Sequence, residues 1–301
     1  MKTRTLLALL LGALPAGRAQ EPAPEPRFGQ RRLIEYQPGE LPLILAAPHG
    51  GREKPADLPD RREGVLTMDA NTQELARAVA AAVAARCGAR PHLVICHLHR
   101  SKLDANRDVA EAAQGSAAAE QAWHEHHGFI EQACRAAVDR HGWAFLIDLH
   151  GHSHPQAQVE LGWLHDAAEL ARPEPLLNTA AFVSRGSAEL LARRSPLPYS
   201  EFLRGPASLG ALLENQGFPA TPSPRLPVPI PPYFRGGYTL VRHCAAERGV
   251  AGVQIEANRS RLRDTEANRQ RFAEALATAL TRFLPGNLQA RDPHQPGTDQ
   301  K

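Results

Sequence analysis

The chain reads as an α/β sandwich on a mainly parallel sheet, and three observations carry that expectation. Apolar runs of strand length alternate with helix-length amphipathic segments in the order strand, helix, strand, helix, strand, as right-handed crossover connections require. Four of the apolar runs stop at polar or charged residues, His49, Arg100 to Arg107, Asp148 with His150, and Glu256, which is how parallel strands end at a site. The 301 residues with 43% hydrophobic content are enough for a large single core.

Residues 1–19 have the pattern of a secretory signal: Lys2 and Arg4, an apolar core from Leu6 to Leu14, then Gly17-Arg18-Ala19. Removing Lys2, Arg4 and Arg18 takes the formal charge from +3 to 0, so net basicity predicts neither nucleic-acid binding nor membrane adhesion. An exported protein, periplasmic or secreted, without stable membrane insertion after signal removal is expected. Residues 20–30 read as a Pro-rich flexible leader, 31–285 as the folded domain and 286–301 as a flexible tail. Cys87, Cys96, Cys134 and Cys244 stand singly; no bridge and no thiolate zinc site is predicted.

Leu41 to Ala47 is the first strong strand, stopping at Pro48-His49-Gly50-Gly51, where two glycines allow a tight turn. A charged loop leads to a helix opened by Asp69-Ala70-Asn71-Thr72 and running to about Arg86, with Asp69 or Asn71 as cap and Leu75, Val79 and Val83 at i+4 spacing. Leu93 to Leu98 is a buried-type strand and Ala117 to Arg140 a long helix. The strand from Ala144 puts Asp148 and His150 on one face by alternation, and Gly151 lets the chain leave the sheet.

Val159 to Leu164 is a weaker strand, and a short helix starts near Ser184. Residues 195–232 form a Pro-rich insert; Tyr199, Phe202, Phe218, Tyr233, Phe234 and Tyr238 concentrate there or just after it, in a chain with only 5% aromatics. That favours an ordered lid. Val250 to Glu256 is the last strand, with Gln254 and Glu256 on one face, and Thr265 to Phe283 the closing helix.

At the carboxyl edge of a parallel sheet these strand ends meet although distant in sequence. Two imidazoles and a carboxylate are the ligand set of a catalytic zinc; a neighbouring Glu takes a proton from water and returns it to a leaving amine. A guanidinium suits a substrate carboxylate or a developing oxyanion.

His49 after a strand, Asn106-Arg107, His150 at a strand end and Glu256 in Gln-Ile-Glu-Ala-Asn resemble the ordered site of zinc carboxypeptidase-like hydrolases. More closely, Pro48-His49-Gly50-Gly51, Arg100-Ser-Lys-Leu-Asp-Ala-Asn-Arg107 and Ile147-Asp-Leu-His-Gly151 resemble the N-formylglutamate amidohydrolase family over roughly residues 40–285. The resemblance implies a phosphorylase/hydrolase-like three-layer α/β/α sandwich with a mainly parallel or mixed central sheet, one zinc ion and cleavage of a C–N amide bond. It implies His49 and His150 as metal ligands, Glu256 as general base, and Arg100, Asn106 and Arg107 as the substrate-binding group, with Arg107 alternatively polarising the scissile carbonyl. The third ligand is left between Asp69, the preferred residue, and Glu53, and Asp148 is expected to orient a ligand imidazole.

Other histidines receive plainer expectations. His124, His126, His127 and His141 are placed on a solvated helix face, His97 and His99 at a strand end as core or supporting residues, and His152 and His154 at the pocket rim. The activity expected is hydrolysis of an N-acyl or peptide-like amide in a small or short-peptide substrate bearing a carboxylate. The alternatives are a carboxypeptidase-like peptidase acting on peptides or cell-wall fragments, and a non-catalytic secreted binding protein.

Overall fold

A computed structural model describes residues 24–284; the expected signal segment, the first residues of the leader and the tail lie outside them. Eight strands form one mixed sheet: β1 (Arg27–Phe28), β2 (Ile34–Gln37), β3 (Leu43–Ala47), β4 (His92–Cys96), β5 (Ala144–His152), β6 (Val159–Gly162), β7 (Ala220–Thr221) and β8 (Val250–Asn258). Their order is β1-β2-β4-β3-β5-β8-β6-β7. The centre, β4-β3-β5-β8, is parallel, while β2 and β6 join it antiparallel on either side.

Alternation sorts the strand residues into two cores. Leu43, Leu45, Phe145, Ile147, Val253 and Ile255 face the helices Thr72–Cys87 and Glu266–Phe283. Ile44, Ala46, Val94, Leu146 and Cys96 face the long helix Ala117–His141. Helices on both faces of one sheet make the three-layer α/β/α sandwich expected. Phe272, Leu276 and Leu280 of the closing helix are fully buried, each contributing about 1.5–3 kcal/mol by removal from water.

Five local expectations change. β5 does not end before Gly151 but continues through it to His152. A Cβ at Gly151 would lie 2.2 Å from Arg263 Nε, so glycine here makes room for a guanidinium instead of turning the chain. Neither Gly50 nor Gly51 is among the positive-φ glycines; a Cβ at Gly51 would sit 2.2 Å from the Leu98 carbonyl oxygen, and close approach is again the reason. Neither proposed residue caps the first helix with its side chain: Asn71 holds the N-cap position at φ 67° and makes no side-chain cap bond. Its Nδ2 donates to the Arg263 carbonyl oxygen at 2.9 Å, while the Asp69 carboxylate turns into the site.

The Pro-rich insert is not a lid. It folds into the helices Tyr199–Arg204 and Leu209–Glu214 and strand β7, and Tyr199, Phe202, Leu209, Leu213 and Phe218 extend the main core. Its aromatic residues therefore serve packing. Finally, His126 and His127 are buried at 0% and 1% exposure: His126 lies close enough to Asp148, His49 and His150 to interact with their charges, and the helix Tyr238–His243 brings His243 Nε2 to 2.9 Å from His127 Nδ1. His124 stays exposed, and His141 Nε2 donates to the Glu40 carbonyl oxygen at 2.7 Å.

Candidate active site

The carboxyl ends of β3, β5 and β8 deliver the side chains. Pro48 ends β3 and presents His49, a residue 1% exposed. The loop returns because the Asp69 N–H donates to the His49 carbonyl oxygen at 2.9 Å. On β5, Asp148 and His150 share the face turned to the long helix, and His150 pairs in register with Glu256 of β8. The rings of His49 and His150 stand edge to face, centroids 4.6 Å apart.

Between the two rings lies the Asp69 carboxylate, its Oδ2 at 3.4 Å from His49 Nδ1 and 3.2 Å from His150 Nδ1. The far nitrogens face carboxylates too: His49 Nε2 is 2.6 Å from Asp104 Oδ1 and His150 Nε2 is 2.9 Å from Asp148 Oδ2. The bond to Asp104 places the His49 proton on Nε2 and leaves a lone pair on its Nδ1; on His150, Nδ1 is hydrogen-bonded to Asp69 Oδ2, while Nε2 faces both Asp148 Oδ2 and the Asn106 amide. His49 Nδ1 is buried with no hydrogen-bond partner.

Does this donor set fit a zinc-type cation? Ligand bonds of about 2.0–2.1 Å in a tetrahedron separate neighbouring donor atoms by roughly 3.3 Å, and the observed 3.4 and 3.2 Å match that spacing. Two imidazole nitrogens and one carboxylate oxygen, each imidazole backed by a second carboxylate, also have the right chemistry. The residues fit.

Electrostatics follow from burial and charge. Burial opposes ionisation of Asp69, but hydrogen bonds and charge from His150 and His49 outweigh it and hold the carboxyl far below its usual range. Asp104 behaves the same way, burial being overcome by His49, Arg100 and Arg107. Burial disfavours the His150 imidazolium, yet Asp148, Asp69 and Glu256 raise its pKa well above the ordinary value. Burial pushes Glu256 up to about 8, against the His150 charge and with repulsion from Asp69, Glu160 and Asp148. This is a neighbourhood rich in negative charge and suited to a cation.

The remaining predicted residues fall on different shells of the site. Arg100 is buried, with Nε and Nη2 each 2.9 Å from Asp104 Oδ2 and Nη1 3.4 Å from Asp69 Oδ1, so each of its nitrogens meets a protein carboxylate. Asn106 is buried with Nδ2 3.2 Å from His150 Nε2, and its Oδ1 accepts from the Thr239 N–H at 2.8 Å. Arg107 lies at the rim, paired with Glu111 at 2.9 Å. Glu53 is excluded: its side chain is exposed, and its backbone pairs with the strand edge through His97 and His99. His97 meets Glu35 and His99 meets Ser101, both outside the cluster.

Sequence reading did not single out three contributors. Asp104 stands inside the segment Arg100 to Arg107, where no role was assigned to it. Glu160 lies on β6 directly across from Glu256. The strap Tyr233 to Gly237 lines the 520 Å³ cavity that also contains His49, His150, Arg107 and Glu256, whereas none of residues 195–232 lines it. A Cβ at Gly237 would sit 2.3 Å from Asn106 Nδ2, a signal that a bare Gly-Gly pair after the insert could have given.

Fold and site together define a three-layer α/β protein that presents a His/Asp/His donor cluster and a carboxyl group at the carboxyl edge of its parallel strands. Several solved structures align with it. A gene product from Agrobacterium tumefaciens shares 15% identity over 82% of this chain and 93% of its own, with a TM-score of 0.50. The N-formylglutamate amidohydrolase from Ralstonia eutropha shares 17% identity over 82% of this chain and 96% of its own, with a TM-score of 0.48. At 15% identity the Agrobacterium match speaks to the fold alone. No family model matches the sequence, and no curated protein matches it.

Proposed function

We propose that this protein is a zinc-dependent hydrolase of C–N amide bonds, acting on a small N-acyl or peptide-like substrate that carries a carboxylate, and related to the N-formylglutamate amidohydrolases. One observation carries the proposal: His49 and His150 both turn Nδ1 to the Asp69 carboxylate, their Nε2 atoms face Asp104 and Asp148, and Glu256 lies in register beside His150. His49, Asp69 and His150 would hold the metal. A zinc ion there supplies Lewis acidity, polarising a carbonyl and making water more acidic.

The protein's own groups supply the rest. Glu256 Oε1 accepts from Gln254 Nε2 at 2.9 Å, leaving Oε2 buried without a partner. That oxygen takes a proton from the attacking water and delivers it to the leaving nitrogen. Positive charge placed at the neighbouring cluster lowers the Glu256 pKa from its raised value and favours the ionised base. Arg107, part-exposed at the rim, reaches the substrate carboxylate, Asn106 fixes the wall behind His150, and Arg100 orients Asp104 and Asp69. Export follows from the amino-terminal pattern, and the amino-terminal sequence of the mature protein tests it.

The test is metal analysis with turnover of acyl amino acids and short peptides. Glu256→Gln keeps its zinc and loses about 10²–10⁴-fold in turnover, whereas His150→Ala loses the metal. Equal metal loss in both variants would make Glu256 a ligand instead of the base. Stoichiometric zinc with no turnover of any compound would leave a binding protein.

A further inference from the structure

The second histidine pair of the site has a geometry of its own. Glu160 is 1% exposed and spends both oxygens: Oε1 lies 2.7 Å from His154 Nδ1, and Oε2 accepts the Phe234 N–H at 3.0 Å. His154 also donates its backbone N–H to His152 Nδ1 at 3.1 Å, and its carbonyl oxygen accepts from Asn258 Nδ2 at 2.9 Å. The Phe234 ring stacks on the imidazole at 4.9 Å, though Phe234 itself is 46% exposed. The strap carrying Phe234 is pinned by Tyr233 Oη donating to the Leu161 carbonyl oxygen at 2.8 Å and by the Leu164 N–H donating to the Arg235 carbonyl oxygen at 2.7 Å.

This group is not a second metal centre. Its 2.7 Å imidazole–carboxylate separation is that of a hydrogen bond, well short of the roughly 3.3 Å between donors on one tetrahedral ion. Both His152 nitrogens are also occupied, Nδ1 by the His154 N–H and Nε2 by the Gln158 carbonyl oxygen at 3.0 Å. The Glu160 bond puts the His154 proton on Nδ1, so Nε2 carries a lone pair. That nitrogen has no hydrogen-bond partner among the described residues, and His154 lines the same cavity as Glu256.

Position gives the lone pair a target. His150, Glu256 and Glu160 are register partners across β5, β8 and β6, so Glu256 stands between the His/Asp/His cluster and the His154–Glu160 pair. On the hydrolase reading, on which this inference rests, the scissile carbonyl faces the cluster and the amide nitrogen faces the other way. We infer that His154, oriented by Glu160 and braced by Phe234, accepts a hydrogen bond from the N–H of the scissile amide, so that the site selects secondary amides over esters and N-alkylated amides. Water adds across the C–N bond, hydroxyl to the carbonyl carbon and proton through Glu256 to the nitrogen, while His154 neither gains nor loses a proton. An ester in the same place sets an oxygen lone pair against that of Nε2 and leaves a polar group unmatched, which penalises it strongly.

The full-length zinc-loaded protein tests this with an N-acetyl amino acid and the matched O-acetyl hydroxy acid. His154→Asn can keep a donor toward Glu160 but lacks the cavity-side nitrogen; His154→Gln restores a polar group near it. His154→Asn is expected to retain zinc and lose about 100-fold in amide kcat/KM, within the range of a lost polar recognition, with the ester changed less than about threefold and His154→Gln intermediate. Equal losses on both substrates, or no loss on the amide, would overturn the inference, as would a second zinc ion that His154→Asn alone removes. Calorimetric binding of the same two compounds to the Glu256→Gln protein separates the proposals. A preference for the amide that disappears with His154→Asn supports the inference even where the wild type hydrolyses nothing, and the absence of that preference overturns it whatever the turnover.

Discussion

Asp104→Asn tests the site where its design is most constrained. The carboxylate bonds His49 Nε2 at 2.6 Å through Oδ1 and Arg100 Nε and Nη2 at 2.9 Å through Oδ2, and both Asp104 and His49 are 1% exposed. An asparagine has two orientations there, and each costs something. With its oxygen toward His49, the amide N–H₂ faces the Arg100 donors. With its nitrogen toward His49, the imidazole must accept at Nε2 and carry its proton on Nδ1, which removes the lone pair aimed at Asp69. Loss of such a supporting carboxylate lowers metal affinity about 10–100-fold, or about 1.4–2.8 kcal/mol. Zinc dissociation constants by chelator competition at neutral pH, with the denaturation midpoint as a control for folding, supply the measurement. Asp148→Asn, acting on His150, should weaken zinc to a similar degree. Zinc affinity within twofold of the wild type in a folded Asp104→Asn protein would refute the assignment of Nδ1 as the metal-facing nitrogen of His49.

Other consequences follow from burial and packing. Burial pushes His92, His126 and His165 down to about 4 and His243 to about 3. These rings are neutral in the folded chain, so their contribution is complete above the unfolded value near pH 6.5 and drains away as pH falls toward 4. At about 1.4 kcal/mol per pKa unit each is worth roughly 3–5 kcal/mol, so urea midpoints should fall steeply over that window; a flat profile would contradict the burial of these rings. Burial resists ionisation of Glu35, but hydrogen bonds from His97, Arg77 and Gln37 and the charge of Arg77 hold its carboxyl well below the usual range. Glu35→Gln should therefore cost about 2 kcal/mol near neutral pH, with the difference from wild type closing as pH falls below the ordinary carboxylate range. Gly237→Ala drives a methyl into the Asn106 amide, whose oxygen is tied to the Thr239 N–H, and should lower stability by about 1–3 kcal/mol. Gly128→Ala, on the long helix with nothing within 4 Å of the added carbon, should instead raise it by about 0.5–1 kcal/mol.

What the sequence made legible and what it hid divide along one physical line. Strands β3, β5 and β8 and their polar ends were readable because a short apolar run and its abrupt stop are local signals. Asp69 was readable because a helix start returns a loop to the strand it left. Asp104 was not, since nothing local distinguishes an acid that orients His49 from one that pairs with a nearby arginine. His126 and His127 looked solvated because their helix was judged by its own periodicity, while the groups that meet them, Asp148 of the sheet for one and His243 for the other, belong to other elements. Gly151 was misread for the same reason: its missing side chain is required by Arg263, whose Nη2 reaches the His152 carbonyl oxygen at 3.1 Å. That guanidinium has a further effect on the site. By allowing β5 to run through Gly151 in register with Ala257 and His152 with Asn258, it brings the chain out beside β6, where Asn258 Nδ2 holds the His154 carbonyl oxygen and Glu160 holds the ring. A strand that broke at Gly151 would supply the His/Asp/His cluster and nothing on the far side of Glu256; the continued strand gives the cavity its second wall.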